Sequence, residues 1–111
     1  MKPTTIITFR HMDHSPVIEE HARAQLEKLD KFLDSERSPV VVELVIEAQP
    51  VHAHHKIDLL VKSPHYHCFA HDEGPDMYQV LDSVIQKMCT EIRRAKEKRI
   101  DNERRGNNRP N

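Results

Sequence analysis

The sequence predicts an α+β domain of order β-α-β-β-β-α, a four-stranded sheet with two helices packed on one face. Three observations predict it: two segments place apolar residues three and four apart, four shorter segments are β-branched or alternate in steps of two, and Pro, Gly and Ser punctuate the joins. Each helix has a single apolar stripe, so both need the same sheet face. The other face is left more polar.

Thr4 to Phe9 is β-branched and aromatic and reads as the first strand. Ser15-Pro16 then sets an N-cap residue before a proline at the first helical position, with Glu19 and Glu20 where the helix dipole favours acids. A helix is expected from Pro16 to Leu33, with Ile18, Ala22, Leu26, Leu29 and Leu33 as its stripe, Phe32 beside it, and Lys28 and Lys31 on its flank and outer face. Asp34 to Pro39 is a polar connection.

Val40 to Ala48 alternates Val42, Leu44 and Ile46 against Glu43 and Glu47, a strand with one wet face. A turn from Gln49 to His54 around Pro50 leads into a third strand, His55 to Lys62, with Ile57, Leu59 and Val61 on its apolar side. Ser63-Pro64 makes the next turn, and His65 to His71 is the fourth strand before the Gly74-Pro75 break. A connection containing a helix makes the first two strands parallel with a right-handed crossover; short links make the later pairs antiparallel.

The last helix, Asp76 to Arg99, is the most informative segment. Met77, Leu81, Val84, Met88, Ile92 and Ala95 form its stripe, while Lys87, Arg94 and Lys98 fall within roughly 40° of one another at the stripe's edge. A rigid line of cations suits a repeating anion. The formal net charge of -1 conceals this polarity. Tyr66 to Gln86 holds the acids Asp72, Glu73, Asp76 and Asp82 with no Lys or Arg, whereas the bases concentrate after Lys87.

The 111 residues suit one domain, 1–100, followed by a flexible polar tail, 101–111, that lacks apolar periodicity. No apolar run reaches membrane-span length and MKPTTIITF lacks the features of a secretory signal, so a cytoplasmic location is expected. Cys68 and Cys89 have no CxxC spacing and read as small core or half-buried residues. With Gly74 and Gly106 alone there is no Gly-rich phosphate loop, and no GxSxG or paired-carboxylate pocket is evident. The expectation is a protein that is not an enzyme and needs no cofactor.

Ile7-Thr8-Phe9-Arg10-His11-Met12-Asp13-His14-Ser15-Pro16, then Gln25 to Phe32, and above all Asp76-Met77-Tyr78 leading into the basic helix, give a chain that resembles the ribosome hibernation promoting factor and ribosome-associated inhibitor family over residues 4–99. That family is similar in layout to double-stranded-RNA-binding domains. The resemblance implies a factor that binds small-subunit ribosomal RNA at the messenger and transfer RNA sites and inactivates idle ribosomes under stress or in stationary phase. Carried over by position, Arg10, Lys28, Lys31, Lys87, Arg94 and Lys98 are the RNA-binding candidates, acting through phosphate contacts. Gln25 and Thr90 stand where relatives often place a base, and Glu91 interrupts the ridge. The chain resembles the family's short form, so any ribosome dimerisation is expected to need a separate factor; the chain itself is expected to be a monomer. A tail with Arg104, Arg105 and Arg109 differs from the acidic tail of some relatives.

The plainer readings are these. The run Arg93 to Arg99 fits a solvated helix end favoured by the dipole; Asp76 fits a cap; Tyr78 fits packing against the sheet rather than a base. The histidines His52, His54 and His55 flank a hairpin and His65, His67 and His71 lie on the adjoining strand, so a metal site across two strands is geometrically open but not required, and titration near neutrality would make the wet face more cationic. An alternative function is a protein-interaction module regulating transcription or a stress response through the acidic Asp72 to Asp82 surface or the open sheet face.

Overall fold

The computed structural model describes residues 3–34, 36–37, 39–49 and 54–107, with side chains at 49 and 102–107 excepted. Strand β1 (Thr4–Arg10) leads into α1 (Pro16–Leu26), a 3-10 turn (Glu27–Leu29) and α2 (Asp30–Leu33). Strands β2 (Val41–Gln49), β3 (His54–Lys62) and β4 (His67–Gly74) follow, and α3 (Met77–Asn107) closes the chain. The order matches the expected one. The sheet runs β1-β2-β3-β4, with β1 parallel to β2 and both later pairs antiparallel.

The local signals act as expected. The Ser15 Oγ accepts the Ile18 N–H at 3.3 Å, Pro16 opens α1, and Glu19 lies in its first turn. At α3 the Asp76 Oδ1 accepts N–H groups of Tyr78 and Gln79 at 3.1 and 3.3 Å, so this aspartate is a cap. The helix expected over Pro16 to Leu33 is interrupted by the 3-10 turn. Helix α3 also carries on past Ile100 to Asn107, into the segment expected to be a flexible polar tail, since a helix already nucleated by packing propagates through the helix formers Glu103 to Arg105. The expected turn at Pro50 with His52, and the last four residues with Arg109, lie outside the described residues.

One core joins the layers. Val42, Leu44, Ile46, Ile57, Leu59, Val61, Cys68 and Ala70 from the sheet meet Ala22, Leu26, Leu29 and Leu33 of the first helical segment and Met77, Leu81, Val84, Met88 and Ile92 of α3. Val80 and Ile85 are buried too, whereas Ala95 is only partly buried. The stripe of α3 is thus wider than expected, because sheet and α1 both cover it. Gly74 lets β4 close onto α3: a Cβ there would stand 3.1 Å from Val80 Cγ2.

The turn from β3 to β4 is tied down by Glu36, whose side chain is 1% exposed. Its carboxylate accepts from the Ser63 hydroxyl, from the His65 N–H at 3.1 Å and from His65 Nδ1 at 2.9 Å. Burial pushes this carboxyl up, yet the hydrogen bonds from Ser63 and His65 and the charge of His65 together hold it below the usual 4.5.

Candidate nucleic-acid interface

Helix α3 carries cations on two flanks. Lys87, Arg94 and Lys98 are exposed on the flank toward β4. Lys87 Nζ lies 3.5 Å from Asp72 Oδ1 and donates to the His71 carbonyl at 3.2 Å, and Arg94 Nη1 is 3.8 Å from Glu91 Oε1. Hydrogen bonds from Ser83 and the Glu73 N–H, opposed by slight burial and aided by Lys87, hold the Asp72 carboxyl below its ordinary value.

Lys28, on the 3-10 turn, and Lys31, on α2, are exposed on the opposite side of α3. There they act together with Arg93 on Cys89: burial raises this thiol's pKa while Lys31, Arg93 and Lys28 oppose the rise. Around the α3 axis Arg93 is roughly 120° from the Lys87 line. The candidate cations therefore form two rims astride one helix, and Arg93 is a member that periodicity missed. Its place on the wheel was legible; the side on which the first helix packs was not. Lys31 Nζ also stands 5.1 Å from the Phe32 ring centroid.

Arg10 joins neither group. It ends β1 on the sheet face away from the helices and pairs in register with Glu47. Tyr78 is 43% exposed and sets its ring edge-on to His21 of α1 at 4.9 Å, so it packs against a helix and not against the sheet as expected.

The histidine cluster disperses. The β3–β4 register sets His55 opposite Gly74 and His67 opposite Lys62, at opposite ends of the pair. His11, His14, His21, His54 and His65 each lie within 4 Å of a carboxylate of Glu47, Glu19, Asp82, Glu73 and Glu36, respectively. Among the described residues no group of three or more His, Cys, Asp or Glu is placed to hold a metal ion. Among the described residues no helix is long and apolar enough to cross a membrane.

The fold is shared with the N-terminal domain of Protein Y from Thermus thermophilus, at a TM-score of 0.71 and 18% identity, covering 85% of this chain and 98% of that one. It is shared equally with a ribosomal subunit interface protein from Coxiella burnetii, at a TM-score of 0.73 and 21% identity, with the same coverage. No curated protein matches it in sequence. Residues 5–100 match the family described as sigma 54 modulation protein / S30EA ribosomal protein.

Proposed function

The chain belongs to the sigma 54 modulation protein / S30EA ribosomal protein family, and from that premise we propose that it associates with the small ribosomal subunit and inhibits translation by idle ribosomes. The observation that carries this reading is the pair of exposed cationic groups along the two flanks of α3: Lys87, Arg94 and Lys98 of α3 on one side, and Arg93 of α3 with Lys28 and Lys31 of the first helical segment on the other. A core that holds α3 and the first helical segment together presents both lines at fixed spacing. Such an arrangement grips two strands of phosphates and excludes other RNAs by bulk, with no base-specific chemistry. Contact is with the RNA of the messenger and transfer RNA sites, the cell compartment is the cytoplasm, and Arg10 serves as an outlying contact. The protein acts as a monomer without cofactor or catalysis, and ribosome pairing falls to a separate factor.

The acids invoked by the interaction-module reading each have a local partner, Glu73 among them at 3.7 Å from His54 Nε2. Asp72 faces Lys87, Asp76 caps α3, and Asp82 Oδ1 is 3.4 Å from His21 Nε2. Cosedimentation with small subunits across a salt series tests the proposal. Association should weaken steeply as salt rises, with a slope near 0.9 per neutralised phosphate as a rough guide from duplex DNA. Reversal of Lys87, Arg94 and Lys98 to Glu should abolish it with the fold intact. Cosedimentation that ignores both salt and charge reversal refutes the assignment.

A further inference from the structure

The geometry points to a nucleotide-stacking site at the free edge of β4, where Phe69 and His71 offer a ring platform to one unpaired base of a bound RNA and Lys87 and Arg94 hold its flanking phosphates. The inference rests on the RNA-binding reading above and adds a base contact to it.

β4 is paired on one side only, with β3. The His71 carbonyl turns off the other side, because it accepts from Lys87 Nζ. Cations of α3 thus reach the edge where the outward face of β4 begins. On that face Phe69 is 53% exposed, and its ring lies 5.6 Å from the His71 ring with 33° between the planes. An open groove of about 390 Å³ runs along this edge, lined by Phe69, Ala70 and His71 of β4 and by Lys87, Thr90, Glu91 and Arg94 of α3, within the size range of small-ligand clefts.

Comparison of the aromatic side chains singles this one out. Tyr66 is buried, Phe9 and Phe32 pack against the core, and exposed Tyr78 stands beside Asp82 and its partner His21. Among the described residues, only Phe69 combines an open ring with two cations. The remaining groove groups select the occupant. Thr90 donates its hydroxyl to the Gln86 carbonyl at 3.2 Å, so toward the groove it accepts, as the Glu91 carboxylate does. Two acceptors beside a ring floor suit the exocyclic amine of adenine or cytosine. An acidic peptide would bring carboxylates against Glu91 and supply no such donor from its side chains.

The test compares three hairpin RNAs by fluorescence anisotropy: one with a single bulged adenosine, one with uridine at the bulge, and one fully paired. The wild-type chain should bind the adenosine bulge about 10-fold more tightly than the paired hairpin, within the range that base stacking on an aromatic side chain provides. Phe69→Ala should erase that margin and leave paired-hairpin binding unchanged. Phe69→Trp should keep it, and this tryptophan, in a chain that otherwise has none, should be quenched by the adenosine bulge and not by the paired RNA.

Paired-hairpin binding that falls with salt, with no margin for the bulge, overturns the stacking site while leaving the phosphate reading standing. Equal quenching by free adenosine monophosphate overturns the assignment to RNA. A bulge margin that survives Phe69→Ala, or preference for an acidic aromatic peptide over all three RNAs, overturns it as well. Absence of RNA binding by the wild-type chain sinks both readings together.

Discussion

The two flanks of α3 share a helix and a core but differ in electrostatic freedom. Toward β4, Lys87 faces Asp72 and Arg94 faces Glu91, so part of the positive field is spent locally. Toward the first helical segment, Lys28, Lys31 and Arg93 form no ion pair among the described residues, and their field is felt as far as Cys89. Half-exposed ion pairs contribute little to stability, typically below about 1 kcal/mol, but they do compete with an incoming phosphate. In the proposed RNA-binding role the open flank would supply affinity, and the paired flank, with its groove and ring pair, would supply position.

The strongest way to break this comparison is to remove its common support. Leu81 is fully buried in the stripe between the flanks, and Leu81→Ala should lower unfolding free energy by about 2–5 kcal/mol in urea titrations. Both flanks should then fail together, with loss of RNA binding near the unfolding midpoint. Next in size is the separation of the flanks themselves. Lys28→Ala, Lys31→Ala and Arg93→Ala combined should lower the salt slope of RNA binding by about 3, roughly one per lost phosphate contact. The matched triple at Lys87, Arg94 and Lys98 should lower it by less, because two of those cations already face carboxylates. Equal slopes would erase the distinction.

A control separates stability from binding. Glu36 lies off both flanks, in a hydrogen-bonded position that favours its ionised form. A carboxyl held below its unfolded value stabilises the fold above about pH 4.5 and loses that contribution as pH falls through the folded pKa. Glu36→Gln should therefore cost about 1–3 kcal/mol at pH 7, and the deficit should shrink under acid, while RNA affinity of the folded protein stays unchanged. The smallest effect belongs to Asp72→Asn, which removes the charge facing Lys87. RNA affinity should rise about 2-fold at low salt, and the gain should vanish at high salt as screening grows.

Much of the architecture was legible because it is written in local periods. Val42, Leu44 and Ile46 alternate, Ile57, Leu59 and Val61 alternate beside them, and all six are buried. Ser15 and Asp76 are caps because their short side chains reach N–H groups two or three residues on. Phe69 carried a signal as well: it falls between buried Cys68 and Ala70, which turns it outward with His67 and His71. Its meeting with Lys87 and Arg94 was not legible, since that needs the distance between β4 and α3.

The amino-acid order by itself determined which face of each element is apolar, that β1 and β2 run parallel, and that α3 carries cations beside its stripe. These follow from spacing along one element and from chain length between elements. Only the tertiary structure decided that Lys28 and Lys31 sit with Arg93 and across α3 from Lys87, that Ile85 and Val80 widen the buried arc, and that the histidines of β3 and β4 part company. The reason is that a helix has two polar flanks equivalent to its own periodicity, and packing against a neighbour is what makes them different.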